Sequence, residues 1–186
     1  NDDVLHLIRR RGNRATNIAA LQKLCTICSN KNISVDLIAG LPRETQSSLT
    51  ETVKIITEFQ IEHISLYSLM LSDSTDLAKK IRCGQIDYNE DFADELWIFG
   101  RDLLIKNGYE EYEISNFCKN KKISLHNMHY WTAKDYLGIG PAAVGTIKNI
   151  RYENSQNITD WLANPGLCQW ENLSEKDKIF EFLMLG

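Results

Sequence analysis

An aspartate within an apolar segment is the first residue whose position suits chemistry. Asp36 lies in the run from Ile33 to Ile38, four residues before Gly40. A carboxylate buried in such a strand costs several kcal/mol unless it is paired or hydrogen-bonded. Because parallel α/β folds bind ligands at the C-terminal ends of their strands, Asp36 is suited to accept hydrogen bonds from the hydroxyls of a ribose. A structural aspartate, held by an arginine or by backbone amides, fits the same position.

Two histidines three positions apart form the second candidate. His126 and His129 lie in the string His-Asn-Met-His-Tyr-Trp, and both rings can face one metal ion if the segment is helical. Cys118 lies eight residues before His126, a spacing that matches no common zinc pattern. A single neutral histidine with apolar and aromatic neighbours can instead be an axial ligand of haem iron. A loop histidine with an ordinary hydrogen bond is the structural alternative.

Two other motifs are weaker. Cys25 and Cys28 fall within a predicted helix rather than at a strand-to-helix turn, so two buried small residues fit better than a redox pair. The glycine-rich residues 138–143 half-match a dinucleotide loop. No strong strand precedes them and no acidic residue follows at the required distance, so we reject that interpretation.

The composition is that of an ordinary globular protein, with 186 residues that are 43% hydrophobic and 25% charged. A net charge of −4 argues against nucleic acid as a partner, because phosphate binding needs a basic surface. No apolar stretch is long enough for a transmembrane segment, and peripheral membrane contact is left open. The five cysteines, odd in number and widely spaced, favour reduced thiols and a cytoplasmic location. The chain starts at Asn1 and ends within an apolar pattern, so we expect a longer protein.

The elements that position these residues follow from periodicity and capping signals. Helices are predicted over residues 3–11 and after Thr16, and strands over 33–38 and 64–71. The helix between the strands begins at Thr45 or Ser48, with Ser48 and Glu51 as a capping box. Strand, helix and strand within about 40 residues predict a βαβ unit with parallel strands.

The second half of the chain alternates in the same way. A clear helix is predicted over residues 90–107, capped by Asn89 and ended by Gly108, and a strand over 109–114. Residues 116–122 and 149–157 are predicted to be loops, and a last helix begins at Ser174 with Asp177 as its capping partner.

Four strings occur in the order and spacing of one protein family: residues 34–42 with Thr45, 63–68, 108–117 and 126–140. Together they resemble the HemW-like proteins, radical S-adenosylmethionine (SAM) relatives of oxygen-independent coproporphyrinogen III oxidase. The resemblance implies an α/β fold, the C-terminal portion of a partial TIM-like (β/α) barrel in residues 1–150, with a small C-terminal domain starting in 151–186. It also implies a 4Fe–4S cluster held by a Cys-x3-Cys-x2-Cys loop, and this sequence contains no such triplet.

The resemblance also assigns residues. Arg10, Asp36 and Ile38 fall on SAM-contacting positions, and an arginine fork suits the SAM carboxylate or a neighbouring acid. Four residues match the family's His-Asn-x-x-Tyr-Trp signature, its proposed haem site: His126, Asn127, Tyr130 and Trp131. His126 is the expected axial ligand of the haem iron, with His129 as its rival.

The sequence departs from the family pattern at two places beside this signature. Relatives read Cys-Arg where this chain has Ser124 and Leu125. They read Gly-Ala-His-Ser where this chain has Ala-Ala-Val-Gly at residues 142–145, so an expected histidine is missing. Both departures adjoin the proposed haem region, and neither touches the SAM positions.

Three functions fit the resemblance. The first is a haem chaperone that binds haem, SAM and a 4Fe–4S cluster in the full-length protein and passes the haem to an acceptor protein. The second is an enzyme, an oxygen-independent coproporphyrinogen III oxidase of porphyrin biosynthesis, in which SAM cleavage supplies a 5′-deoxyadenosyl radical for oxidative decarboxylation. The third is a degenerate relative without a haem site. The His-Asn-x-x-Tyr-Trp string favours the first, and the altered residues 142–145 favour the third.

Overall fold

A computed structural model describes residues 1–28 and 33–185 and divides the chain into two compact units, Asn1–Ile123 and Ser124–Gly186. Each unit has its own sheet. The division falls earlier in the chain than the predicted boundary after residue 150. Strands on both sides of that residue pair with each other in an antiparallel hairpin, which places both within the second unit.

The first unit alternates helices and strands in the order α1 (Asp2–Leu7), α2 (Arg14–Ile27), β1 (Ser34–Ala39), α3 (Gln46–Glu58), β2 (His63–Ser68), α4 (Asp76–Arg82), α5 (Glu90–Lys106), β3 (Glu110–Glu113) and β4 (Asn116–Cys118). Its sheet has the strand order β1-β2-β4-β3. β1 and β2 are parallel, which confirms the predicted βαβ unit, and β4 is antiparallel to β2 and β3. The prediction of a loop over residues 116–122 was wrong for β4, whose three residues are too few to show an alternating pattern.

One face of this sheet forms the hydrophobic core of the unit, against α3 and α5. Its buried side chains come from alternate strand positions and from the two helices: Ala39, Leu49, Val53, Ile56, Ile64, Leu66, Leu104 and Phe117. The opposite face, here called the polar face, is set by the register. It aligns Ser34 with His63 and Asp36 with Ser65 across β1 and β2. Because side chains of a strand alternate with a period of two, the core on one face fixes which residues appear on the other.

Helix ends are set by side chains that accept backbone hydrogen bonds. Asn89 accepts from the amide of Phe92 at 3.1 Å and caps α5 as predicted. Thr45, rather than Ser48, caps α3, and Ser48 supplies the return hydrogen bond that was assigned to Glu51. α1 ends at Leu7, earlier than predicted, because the chain reverses at Arg9 with φ +55°.

The turn after β1 depends on Gly40. Its φ is +83°, and a Cβ there would lie 2.7 Å from the Cβ of Ala93. The Glu44 carboxylate closes the turn by accepting from the amides of Gly40 at 2.8 Å and Leu41 at 3.3 Å. Burial raises the pKa of Glu44, and the two amides oppose that shift. This turn fixes the C-terminal end of β1 against α5.

The second unit contains α6 (Leu125–Trp131), β5 (Val144–Ile147), β6 (Ile150–Asn154), α7 (Ile158–Ala163), β7 (Cys168–Asn172) and α8 (Glu175–Leu185). Its strands form an antiparallel sheet in the order β5-β6-β7. Arg151 joins β6 to α8 through two nitrogens, each 2.7 Å from a carboxylate oxygen of Glu181. The Ser174–Asp177 capping pair of α8 is confirmed.

The predicted loop at residues 149–157 was wrong, because it contains β6. The alternating pattern there is hidden by an asparagine at a buried position. Asn154 is 6% exposed, and its amide group donates to the carbonyls of Gly138 and Gly140 at 3.3 and 2.8 Å. None of the helices in the described ranges combines the length and apolar character needed to traverse a bilayer.

Replacing Gly40 with alanine is expected to lower the free energy of unfolding by about 1–3 kcal/mol. Alanine is strained at a positive φ, and its Cβ would also clash with the side chain of Ala93. Urea denaturation measures the loss. Gly84 is a matched control, since its φ is +69° but a Cβ added there would meet nothing within 4 Å. Gly84→Ala should therefore cost less, and equal losses for the two variants would contradict a contact with Ala93.

Candidate functional site

A cleft of about 1130 Å³ lies in the first unit, alongside β1. Its walls come from α1 and the segment after it, from α2, from β1 and from α3. Arg10, Asp36 and Ile38 all line this cleft, so the structure brings together the three residues that the resemblance assigned to SAM. β1 is an outermost strand of the sheet, and among the described residues no strand pairs with its outer side, along which the cleft lies.

Asp36 is exposed, which corrects the expectation of a carboxylate buried within an apolar strand. Its neighbours Val35 and Leu37 point to the other face of β1 and pack against the core. The apolar run is thus one-sided, and Asp36 avoids the desolvation that burial would impose. The carboxylate is accessible to a ligand in the cleft.

Two arginines close to Arg10 in sequence form ion pairs. Arg9 pairs with Asp76 at 3.2 Å, and Arg14 pairs with Glu51 of α3 at 2.8 Å. Within residues 1–28 and 33–185, no carboxylate lies within salt-bridge distance of Arg10. Its guanidinium is therefore available to an anionic group that enters the cleft.

A buried histidine lies beside Asp36 on the polar face. His63 is 1% exposed, and both ring nitrogens are hydrogen-bonded. Nδ1 lies 2.7 Å from the hydroxyl of Ser34 on β1, and Nε2 lies 2.7 Å from the hydroxyl of Tyr112 on β3. Burial lowers the pKa of His63, and the charge of Asp36 opposes that shift. The imidazole, neutral at pH 7, cross-links three strands.

A second polar pair completes this face. The hydroxyl of Ser65 donates to the amide oxygen of Asn116 at 3.1 Å, and the amide nitrogen of Asn116 donates to Glu113 at 2.8 Å. Ser65 lies opposite Asp36 in the register of β1 and β2. Sequence patterns did not identify His63, Ser65 or Asn116. The available signal was the presence of polar residues at alternate positions of β1 and β2.

The second candidate group lies on α6 in the second unit. The backbone amide of Asn127 donates to the side chain of Ser124, which caps the N-terminus of α6. His126 and His129 both lie in this helix, as a site shared by the two rings would require. The hydroxyl of Tyr130 lies 2.9 Å from Nε2 of His126, and their rings meet edge to face with centroids 4.9 Å apart. His126 is exposed, whereas Tyr130 is half-buried. Trp131 lies one turn after Asn127 and is also half-buried.

The structure does not support a shared metal site for His126 and His129. Across the described parts of the chain, no three histidine, cysteine or acidic side chains are grouped so as to hold a metal ion. Cys118 is buried in β4, where burial raises the pKa of its thiol. A zinc site therefore gains no support from the described residues.

Of the departures at residues 142–145, the glycine at 145 has a packing explanation. A Cβ on Gly145 would lie 2.4 Å from the phenol of Tyr152. That hydroxyl accepts from the amide of Gly138 at 2.9 Å and lies 3.3 Å from its carbonyl. Glycine at 145 therefore lets Tyr152 reach and hold the glycine-rich segment. Val144, where relatives read histidine, is 37% exposed and offers no nitrogen ligand.

The amino-acid sequence is similar to those of two proteins named HemW. Over 160 residues the chain is 37% identical to the haem chaperone HemW of Lactococcus lactis, covering 84% of this chain and 42% of that protein. Over 190 residues it is 32% identical to HemW of Buchnera aphidicola from Schizaphis graminum, covering 99% of this chain and 49% of that protein. The chain belongs to the HemW-like family of radical SAM proteins. It spans just under half the length of these HemW relatives.

Two further comparisons place the HemW-like chain among radical SAM proteins. It is 37% identical over 114 residues to the mouse mitochondrial radical S-adenosyl methionine domain-containing protein 1, covering 61% of this chain and 26% of that protein. The solved structure of coproporphyrinogen III oxidase (HemN) from Escherichia coli, a radical SAM enzyme, superposes with a TM-score of 0.77 at 17% identity. That match covers 99% of this chain and 46% of HemN, and it confirms the predicted fold class. The sequence matches no family model.

Replacing His63 with glutamine is expected to remove a pH-dependent part of the stability. Burial lowers the pKa of His63 in the folded state below its unfolded value of about 6.5, so the unfolded state binds more protons below that pH. The free energy of unfolding of the wild type should therefore fall as the pH drops from about 7.5 to 5, with a smaller fall in the variant. Urea denaturation across this range measures both slopes. His6→Gln, which removes an exposed histidine of α1, is the matched control for the loss of an imidazole outside the sheet.

Proposed function

We propose that this protein is a haem chaperone, which binds haem at α6 and passes it to an acceptor protein while SAM occupies the cleft beside β1. One observation carries the proposal. The His-Asn-x-x-Tyr-Trp string forms a helix that exposes His126, in a chain whose relatives are named haem chaperones. A neutral imidazole is a common axial ligand of haem iron.

The cleft residues suit the chemical groups of SAM. Asp36 presents an accessible carboxylate to the hydroxyls of a ribose. Arg10, which has no ion-pair partner among the described residues, presents its guanidinium to a carboxylate. Ile38 is 38% exposed and adds an apolar surface next to Asp36 on the same face of β1. On the polar face beneath, His63 joins β1 to β2 through Ser34, and Ser65 joins β2 to β4 through Asn116.

The cysteines of this sequence do not suit a 4Fe–4S cluster. Such a cluster needs several thiolates brought together. Only Cys25 and Cys28 of the five cysteines are close in sequence, and the chain carries no Cys-x3-Cys-x2-Cys triplet. No group of three or more potential metal ligands, cysteines included, occurs in the described ranges. We therefore propose no residue of this chain as a cluster ligand, and we assign the cluster to the family rather than to these residues.

The residues of α6 suit haem. His126 is the proposed axial ligand, and it lies beside the aromatic ring of Tyr130, whose ring is 4.5 Å from that of Tyr136. Asn127 and Trp131 occupy the adjoining side of the helix. With valine at 144, His126 is the first histidine to test as a haem ligand in this unit, and His129 is the second.

The oxidase alternative has one observation in its favour, the fold shared with HemN. A shared fold does not determine the reaction, because one barrel hosts many activities. Identity is 17% to HemN, against 37% and 32% to the two HemW proteins. The degenerate alternative rests on Val144, and titration of the protein with haem tests it directly.

Replacing Asp36 with alanine in the full-length protein is expected to weaken SAM binding by about 1–3 kcal/mol, the cost of losing a charged hydrogen-bond acceptor. Isothermal titration calorimetry with SAM measures the change. Asp87→Ala is the matched control, since Asp87 is exposed in the same unit but does not line the cleft. Unchanged affinity for Asp36→Ala would remove this residue from the site.

Replacing His126 with alanine in the full-length protein is expected to abolish a saturable Soret shift on titration with haem, because the variant lacks the axial imidazole. His129→Ala removes a histidine from the same helix and should leave the shift intact. Loss of the shift only in His129→Ala would reassign the ligand. No shift in the wild type would refute the chaperone proposal and favour the degenerate alternative.

A further inference from the structure

The nitrogen of His126 best placed to bind iron is already occupied. Its Nε2 is 2.9 Å from the hydroxyl of Tyr130, one helical turn further along α6. Nε2 lies at the end of the ring remote from Cβ, whereas Nδ1 is bonded to Cγ, the ring atom that carries Cβ. A flat macrocycle that approached Nδ1 would collide with the helix, so Nε2 is the nitrogen that haem can reach.

This hydrogen bond excludes coordination in either tautomer of the neutral ring. If Nε2 accepts the hydroxyl proton, its lone pair is used by Tyr130. If Nε2 carries the proton and donates to the hydroxyl oxygen, it has no lone pair to offer a metal. His126 therefore has a free coordinating lone pair at Nε2 only when Tyr130 has moved away.

The ring of Tyr130 also contacts a second aromatic ring. Tyr136 packs edge to face against it, with centroids 4.5 Å apart. Tyr136 is itself fixed to β5, because its amide and carbonyl exchange hydrogen bonds with Thr146 at 2.9 and 3.0 Å. Tyr130 thus contacts both an exposed imidazole and an anchored ring, and its hydroxyl is hydrogen-bonded to His126.

We propose that Tyr130 gates the iron ligand of this protein. His126 binds haem iron only after it releases the Tyr130 hydroxyl, and the return of that hydroxyl favours haem release. This inference rests on the proposed haem site. It adds a regulatory residue, because a carrier that must give up its cargo gains from an internal group that competes for the same nitrogen.

The first test is a haem titration of the full-length protein as wild type, Tyr130→Phe and Tyr136→Phe. Removing the hydroxyl removes the competitor, so Tyr130→Phe should bind haem about two- to tenfold more tightly, the range for one neutral hydrogen bond. It should also transfer haem more slowly to apomyoglobin as a probe acceptor. Tyr136→Phe changes the same aromatic group without touching His126 and should match the wild type.

Equal or weaker affinity in Tyr130→Phe would overturn the gate while leaving the haem site standing. Loss of haem binding in Tyr130→Phe, with binding retained in His126→Ala, would make Tyr130 the iron ligand and overturn both assignments. No binding by the wild type would remove the haem site and the gate together.

A second test needs no haem. Diethyl pyrocarbonate modifies accessible imidazole nitrogens, and mass spectrometry reports His126 and His129 separately. In Tyr130→Phe the modification rate of His126 should rise several-fold relative to His129, which lies on the same helix and provides the internal reference. An unchanged ratio would show that the hydroxyl does not occupy Nε2 in solution and would overturn the gate whatever the titration gives.

Discussion

The parallel pairing of β1 with β2 is the constraint on which the first unit depends. Its register puts Leu37 and Leu66 in the core and leaves Asp36 and Ser65 on the polar face. A slip of one residue would move every side chain to the wrong face and would take Asp36 out of the cleft. His63 supports this register, because its two hydrogen bonds join β2 to the adjacent strand β1 and, beyond β4, to β3.

In the second unit, side chains of β6 hold a loop in place through hydrogen bonds. Tyr152 and Asn154 both hydrogen-bond the glycine-rich segment that begins at Gly138. The glycine at 145 makes room for Tyr152, so a departure from the family pattern is also a packing adjustment. Sequence differences beside a functional motif therefore need not mean decay of the motif, since they can follow from a neighbour that has taken over the space.

Local signals carried the fold predictions that succeeded. The βαβ unit and the Asn89-capped helix follow from periodicity and from a capping residue close in sequence. The predictions for β4 and β6 failed because these strands depend on contacts between residues far apart in sequence. Their partner strands and buried polar residues cannot be read from a short stretch of sequence. The site shows the same division. Arg10, Asp36 and Ile38 were predicted from the resemblance to the family. The exposure of Asp36 and the hydrogen bonds of His63 depend on how the strands pair, which the sequence pattern does not show.

The open edge of β1 has a practical consequence. Within the described residues, no strand pairs with its outer side, so backbone donors and acceptors there have no partner strand. Such an edge is a template on which a strand of another molecule can add. A preparation of these 186 residues by themselves would therefore tend to self-associate as its concentration rises, through main-chain pairing rather than through any particular side chain. Dilution, or a peptide able to add as a strand at that edge, would be the natural remedy.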